Sequence, residues 1–134
     1  ASLEDADLTD ADLEGAVLTK ANLRDAVLTG ADLEYATLTD AYLTDADLTE
    51  ADLSYADLTR ASLVDADLTD ADLEGADLTD ARLWNADLTD ANLKDTDLKW
   101  ADFDDATVTG ADFDGSYWYQ TTWTDGERYD SNQS

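Results

Sequence analysis

The sequence predicts an all-β solenoid, because it consists of one five-residue unit repeated in tandem. Written as pentads from Ala1, the chain keeps the same frame without insertion or deletion to about Gln120. Ala is the first residue in 22 of the first 23 pentads, and Leu is the third residue in all of the first twenty. A repeat this strict favours a linear array over a compact globule.

The spacing of the apolar residues excludes a regular helix and a flat strand. One face of a helix needs apolar residues at i, i+3, i+4 and i+7, whereas Ala and Leu recur here at steps of two and three. A strand alternates at steps of two, and the extra residue of each pentad interrupts that alternation. Each pentad therefore predicts a short extended segment with Ala and Leu inward, followed by a turn rich in Asp, Gly, Asn and Thr.

The unit A(D/N)LXX, as in ADLTDADLEG at residues 66–75, resembles the repeat of the pentapeptide repeat family. The resemblance covers about residues 1–120. It implies a right-handed quadrilateral β-helix with four pentads per coil, and therefore about six four-pentad coils with no inserted loops. We assign residues 1–120 to this β-helix and residues 121–134 to a C-terminal cap and polar tail.

The array ends in an aromatic segment. From residue 103 onward, larger and mainly aromatic residues replace the central Leu of the pentad. The last coil of a solenoid must be covered, because otherwise its core and its unpaired strand edge are exposed. We expect a C-terminal cap, or alternatively a dimer surface, formed by Tyr117, Trp118, Tyr119 and Trp123. Residues 126–134 are expected to be a polar tail.

No comparable cap precedes Ala1, and the chain begins without Met. We therefore expect the native chain to begin upstream, and the first coil to be covered by an end-to-end dimer or by an upstream domain. A removed signal peptide would place the protein in the periplasm or outside the cell, and otherwise it would be cytoplasmic. The sequence leaves the compartment open.

The charge is strongly acidic, at −27 from 34 acidic and 7 basic residues. Direct binding to nucleic acid or to an anionic membrane surface needs a basic patch, so neither is expected. No apolar run approaches the ~18 residues of a membrane-spanning helix. A basic protein surface remains compatible with this charge.

The residues needed for catalysis are missing or unsuitable. Without His or Cys, the commonest general base and the thiol nucleophile are excluded. The many carboxylates occupy repeat positions, whereas a glycosidase needs two in unlike environments within a cleft. Outward columns of Asp also lack the six to eight converging oxygens of a Ca²⁺ site. We expect no enzymatic activity, no cofactor and no metal.

Four pentads per coil would stack residues that are twenty apart in sequence, so each side of the coil becomes a column of pentads. The first face holds the pentads that begin at residues 1, 21, 41, 61, 81 and 101, and its outward positions are the least acidic. Aromatic residues beside Arg are typical of interface hot spots. This predicts an interaction patch of Tyr42, Val64, Arg82 and Trp84. Alternatively, these side chains cover one another between adjacent coils.

The other three faces, which follow in chain order, carry regular polar columns. The second face has a column of Thr at every twentieth residue from Thr9 to Thr109, typical of β-branched ladders and also of some ice-binding solenoids. The fourth face ends each pentad with alternating charges. This column consists of Lys20, Asp40, Arg60 and Asp80, whose exposed pairs are worth about 0–1 kcal/mol each.

The third face stacks Asp residues and two tyrosines, Tyr35 and Tyr55. Carboxylates about 5 Å apart repel, although Asx side chains can accept hydrogen bonds from N–H groups of the following turn. We expect repulsion within the Asp columns to raise their pKa values. Stability would then increase as the pH falls from 7 towards mild acid.

Two functions follow from these observations. The first is a non-enzymatic structural or protein-interaction module with an unidentified protein partner. The second is implied by the resemblance, since some family members mimic DNA and bind DNA gyrase or another type II topoisomerase. Those members often have Phe as the central residue and a C-terminal dimerisation helix, which this sequence lacks. Ice binding by the Thr column is a minor alternative, because the flanking Asp residues are strongly hydrated.

Overall fold

A computed structural model describes residues 1–129. Parallel β-bridges join the second residue of each pentad to the second residue of the pentad four further along, from Ser2 with Asn22 to Asp102 with Thr122. The chain therefore returns to the same side after four pentads, and successive coils stack in parallel and in register. The four-pentad coil expected from the resemblance is present over this range.

Backbone hydrogen bonds between neighbouring coils follow one pattern. The N–H groups of the third and fifth residues donate to the following coil, as from Leu43 to the Ser62 carbonyl at 2.8 Å and from Asp45 to the Val64 carbonyl at 3.0 Å. The N–H of the second residue donates to the preceding coil, as from Ser62 to the Ala41 carbonyl at 2.9 Å. Each side of the coil is thus a parallel ladder one bridge wide.

A turn ends every pentad. Each fifth residue from Asp5 to Gln120 has a positive φ, and the next N–H typically donates to the carbonyl three residues earlier, as from Ala71 to Leu68 at 3.1 Å. A positive φ at the second central residue alone is the pattern of a type II turn. Because a turn interrupts each pentad, continuous strands do not form along the sides of the coils.

The inward residues form a narrow core along the axis. Leu at the third position is 0% exposed from Leu23 to Leu98, and the Ala residues at the first position are buried with it. Only one neighbouring coil covers residues 1–20, so their leucines are half-buried. At the other end, the rings of Phe103, Phe113 and Trp123 fill the core.

The described residues end in an antiparallel pair of strands. Strand β1 is Thr121–Thr122 and continues the first face, while β2 is Arg128–Tyr129 and pairs with it. The segment expected to be a polar tail therefore includes β2, and its remainder, residues 130–134, lies outside the described residues. Residues 1–129 contain no helix with the length and apolar character needed to cross a bilayer.

Candidate functional site

The first face carries a surface without carboxylates, which we call the first-face panel. The panel comprises the outward second and fourth residues of this face between residues 21 and 84. Its members are Asn22, Arg24, Tyr42, Thr44, Ser62, Val64, Arg82 and Trp84. In the same four coils, the corresponding positions carry three carboxylates on the second face, five on the third and three on the fourth. Acidic residues are therefore absent from the outward second and fourth positions of the first face between residues 21 and 84.

Contacts between coils cover part of the panel. Ser62 is 5% exposed and its hydroxyl lies 3.2 Å from the Thr44 hydroxyl, while Val64 is half-buried. Tyr42 and Trp84 remain 41% and 49% exposed. Contacts between adjacent coils therefore cover the centre of the panel, at Ser62 and Val64. The aromatic rings of Tyr42 and Trp84 on either side remain accessible.

Two arginines lie among these aromatic side chains. The Arg24 guanidinium carbon is 4.9 Å from the centroid of the Tyr42 ring, which is a cation–π contact. Arg82 is exposed and belongs to the same column as Tyr42, with Ser62 between them. The structure therefore brings the four residues of the predicted patch onto one side of the rod, in two adjacent columns.

The column of alternating charges borders the panel at the corner between the fourth and first faces. Arg60 holds Asp40 in a bidentate pair, with Nε to Oδ1 at 2.7 Å and Nη2 to Oδ2 at 3.1 Å. This hydrogen-bonded pairing lowers the pKa of Asp40 and raises the pKa of Arg60. Lys20 and Asp80 complete the column, so the border has no net charge.

On the acidic faces, the second residue of the pentad accepts the N–H of the fourth. Asp57 accepts from the Thr59 N–H at 2.9 Å and also from the Thr39 hydroxyl of the preceding coil at 2.9 Å. Asp47 makes the same two contacts, with the Thr49 N–H and the Thr29 hydroxyl, both at 3.0 Å. These carboxylates therefore brace the turn and tie adjacent coils together.

The expectation that repulsion raises the pKa values of the Asp columns is wrong for these two residues. The hydrogen bond from Thr49 is the main cause of the lowered pKa of Asp47. For Asp57, burial raises the pKa, but hydrogen bonds with Thr59 and Thr39 together outweigh it and the pKa is lowered. Hydrogen bonding to the ionised form therefore outweighs the effect of burial on the pKa values of Asp47 and Asp57.

At other carboxylates, the direction of the pKa shift differs from residue to residue. The pKa values of Asp7 and Asp112 are also lowered, chiefly by hydrogen bonds from Thr9 and from the Asp114 N–H. At Glu34, which lies on the third face outside the Asp columns, burial and then the neighbouring carboxylates raise the pKa.

Threonine hydroxyls on the second face are engaged by carboxylates. The hydroxyl of Thr9 donates to Asp7 at 2.7 Å, and that of Thr89 donates to Asp87 at 2.6 Å. Hydroxyls committed in this way work against an ice-binding surface. The fourth face carries a second such column, which the sequence analysis did not single out although the same spacing reveals it. Its members are Thr19, Thr39, Thr59 and Thr79.

The aromatic residues at the C-terminal end point in two directions. Trp118 and Trp123 lie together in the core, with ring centroids 4.5 Å apart, and Trp118 is 9% exposed. Tyr117 and Tyr119 instead point outward on the fourth face and are 55% and 41% exposed. The four residues therefore do not form one surface.

Trp100 is an exposed aromatic residue that the sequence analysis missed. It occupies a turn position, is 46% exposed and meets Tyr119 edge to face at 5.6 Å. The available signal was a Trp at the fifth position of a pentad, where Asp and Gly predominate. Among residues 1–129, no cluster of three or more acidic side chains is placed to hold a metal ion.

The parallel register, the inward Leu column and the turn at every fifth residue define a repeat solenoid with polar faces. A family model for pentapeptide repeats matches residues 6–45, 46–85 and 81–117. The chain belongs to the pentapeptide repeat family. The chain matches no curated protein sequence.

Solved structures similar to the chain are also pentapeptide repeat proteins. One is HetL, involved in heterocyst differentiation regulation in the cyanobacterium Nostoc sp. strain PCC 7120, with 34% identity over 96% of this chain and 66% of that one and a TM-score of 0.43. Another is QnrB1, a plasmid-mediated fluoroquinolone resistance protein. The match has 22% identity, covers 92% of this chain and 68% of QnrB1, and has a TM-score of 0.54. The chain thus spans about two thirds of the length of these structures.

Proposed function

We propose that the protein is a non-enzymatic protein-interaction module whose contact surface is the first-face panel. The supporting observation is that this panel alone lacks carboxylates on a rod of charge −27, and that it exposes Tyr42, Arg82 and Trp84. Aromatic residues and Arg carry much of the binding energy at interfaces, whereas Asp and Glu are depleted there.

In this proposal the scaffold is a right-handed quadrilateral β-helix of about six coils without inserted loops. The bridges at a constant spacing of twenty residues, from Ser2 to Thr122, support it. The cap begins at residue 121, and the packing of Trp123 on Trp118 and Phe113 supports this. Such a scaffold holds outward side chains at fixed spacing, which suits recognition of a partner.

A pull-down tests the panel directly. The triple variant Tyr42→Ser, Val64→Ser and Trp84→Ser should lose partners that the intact protein captures, because it removes the apolar contact area. The matched control is Tyr35→Ser with Tyr55→Ser, since these tyrosines are 56% and 50% exposed on another corner. Identical partners for the intact protein and the triple variant would remove the panel as the contact surface.

A second candidate function is DNA mimicry directed at DNA gyrase. It is favoured by the acidic second, third and fourth faces, which present a dense array of negative charge to a basic groove. In a gyrase supercoiling assay, equimolar protein should inhibit the enzyme, and Asp→Asn substitutions on these faces should relieve inhibition. Supercoiling that is unaffected up to an equimolar ratio would exclude this function.

A further inference from the structure

We propose that the first-face panel binds a second copy of this chain, side by side and antiparallel. The two rods are related by a twofold axis that passes between residues 41–60 and residues 61–80. This inference rests on the proposed function and specifies the partner of the same surface. It is carried by the arrangement of charges on the panel and its border.

The charges of the border column are complementary to those of the same column on a second copy that runs in the opposite direction. The twofold axis exchanges the first-face pentad 21–25 with 81–85, and the pentad 41–45 with 61–65. Each border residue moves with the pentad that directly follows it in the sequence. Lys20 then faces Asp80 of the second copy, and Asp40 faces Arg60 of the second copy. All four contacts along this border therefore join opposite charges.

The same axis pairs the side chains of the panel favourably. Arg24 faces Trp84 of the second copy, which is a cation–π arrangement, and Arg82 faces Asn22. Tyr42 faces Ser62, which places a large ring against a small residue. No arginine meets an arginine, and no carboxylate lies on the panel.

The opposite border meets its own copy in the antiparallel dimer. The corner between the first and second faces carries Asp25, Asp45, Asp65 and Asn85. In the antiparallel dimer Asp45 faces Asp65 of the second copy, and Asp25 faces the neutral Asn85. A parallel dimer would instead place Asp80 opposite Asn85, so a loss of dimerisation in Asp80→Lys distinguishes the antiparallel arrangement.

The available area matches a specific interface. The accessible surface of the protein is 6260 Å². Divided equally among four faces, the accessible surface of 6260 Å² gives about 1,600 Å² per face, and a standard interface buries about 800 Å² per partner. The panel and its border provide this area over four coils.

The charge of the rod also narrows the choice of partner. Arg24 and Arg82 oppose a basic partner at the panel, while the total charge of −27 repels an acidic partner at long range. A second copy is also acidic, but it presents its least charged side. Salt should therefore strengthen association, since the screening length falls from about 30 Å at 0.01 M to below 10 Å above 0.1 M.

Sedimentation velocity tests the proposal through a charge exchange. In 0.3 M NaCl the intact protein should dimerise, and more weakly in 0.02 M. Lys20→Asp alone and Asp80→Lys alone should each weaken dimerisation about tenfold or more, because each places like charges opposite one another twice. An equimolar mixture of the two variants should restore the dimer, since every border contact in the mixed pair is again between opposite charges.

The controls separate this proposal from the proposed function. Trp84→Ser should weaken the dimer, whereas Tyr35→Ser should not, and circular dichroism should show that all variants are folded. A monomer at every concentration, or a dimer unaffected by Trp84→Ser, would overturn self-association through the panel. Failure of the variant mixture to dimerise would overturn the antiparallel arrangement. In each case the pull-down still decides separately whether the panel binds another protein.

Discussion

At the scale of single residues, the fold depends on a left-handed backbone at every fifth position. Glycine accepts this conformation freely, and Asn or Asp tolerates it, whereas other residues adopt it at a cost of about 1–2 kcal/mol. Glu50 and Lys20 nevertheless have φ values of 58°. The periodic hydrogen bonding and core packing therefore impose the turn on unfavourable residues.

Gly15 and Gly75 lie at the same corner of the coil. Substituting each by Ala distinguishes the free-energy cost of a positive φ from the cost of steric overlap with a neighbouring side chain. A Cβ at Gly15, where φ is 62°, would meet no atom within 4 Å. A Cβ at Gly75 would lie 2.6 Å from Cε1 of Tyr55, whose ring stacks on Tyr35 at 5.3 Å. We expect Gly15→Ala to cost about 1 kcal/mol and Gly75→Ala to cost more.

Urea unfolding of the two variants measures this difference. In the background Tyr55→Ala, the extra cost of Gly75→Ala should disappear, because the displaced ring is gone. Equal costs at both glycines would show that the tyrosine stack moves aside freely.

At the scale of the pentad, the aspartates of the second position act as braces. This role was partly predictable, because an Asx residue two positions before a turn N–H can accept its hydrogen bond. The hydrogen bond from the Thr hydroxyl of the preceding coil was not predictable, since it depends on the side-chain conformations of both residues. For the same reason, the sequence could not reveal that hydrogen bonding outweighs the effect of burial on the pKa values of Asp47 and Asp57.

Substitution of Asp57 tests the brace. Asp57→Ala removes the acceptor for the Thr59 N–H and the Thr39 hydroxyl, and should lower the free energy of unfolding by about 1–3 kcal/mol. Asp57→Asn keeps an acceptor oxygen and should cost clearly less. Denaturant titration of both variants is the measurement, and equal losses would contradict the role of the acceptor.

The same reasoning explains which parts of the candidate site were predictable. The columns follow from four pentads per coil, which the family resemblance implies, and this placed Tyr42, Arg82 and Trp84 on one face. The burial of Ser62 and the outward direction of Tyr117 depend on neighbouring side chains and were not predictable from spacing. Trp100 was missed although it follows Asp80 in the same column, at the same spacing of twenty residues.

At the scale of the whole molecule, the lowered pKa values determine how stability depends on pH. In the folded protein the pKa values of Asp47 and Asp57 lie below the ordinary value of 3.8. Their contribution to stability is fully present above that value and is lost as the pH falls through the folded pKa. We therefore expect the melting temperature to fall below about pH 4. A melting temperature that rises over this range would show that relief of repulsion dominates.

Glu34 contributes with the opposite sign. The raised pKa of Glu34 means that folding disfavours the ionised side chain. The free energy of unfolding therefore decreases as the pH rises above 4.5, the ordinary pKa of a Glu side chain. Glu34→Gln should consequently raise the melting temperature at pH 7. The gain should vanish below pH 4, and thermal melts at both pH values check it. A variant that is less stable than the intact protein at pH 7 would contradict this sign.

The central claim is that the acidic rod makes its contacts through the first-face panel, which contains no carboxylate. Site-specific photo-crosslinking tests this most directly, with a benzophenone amino acid in place of Trp84 on the first face or in place of Thr69 on the second. Covalent adducts, whether with a second copy or with another protein, should form from position 84 and not from position 69. Adducts from position 69 with none from position 84 would contradict the claim and favour a contact through the acidic faces.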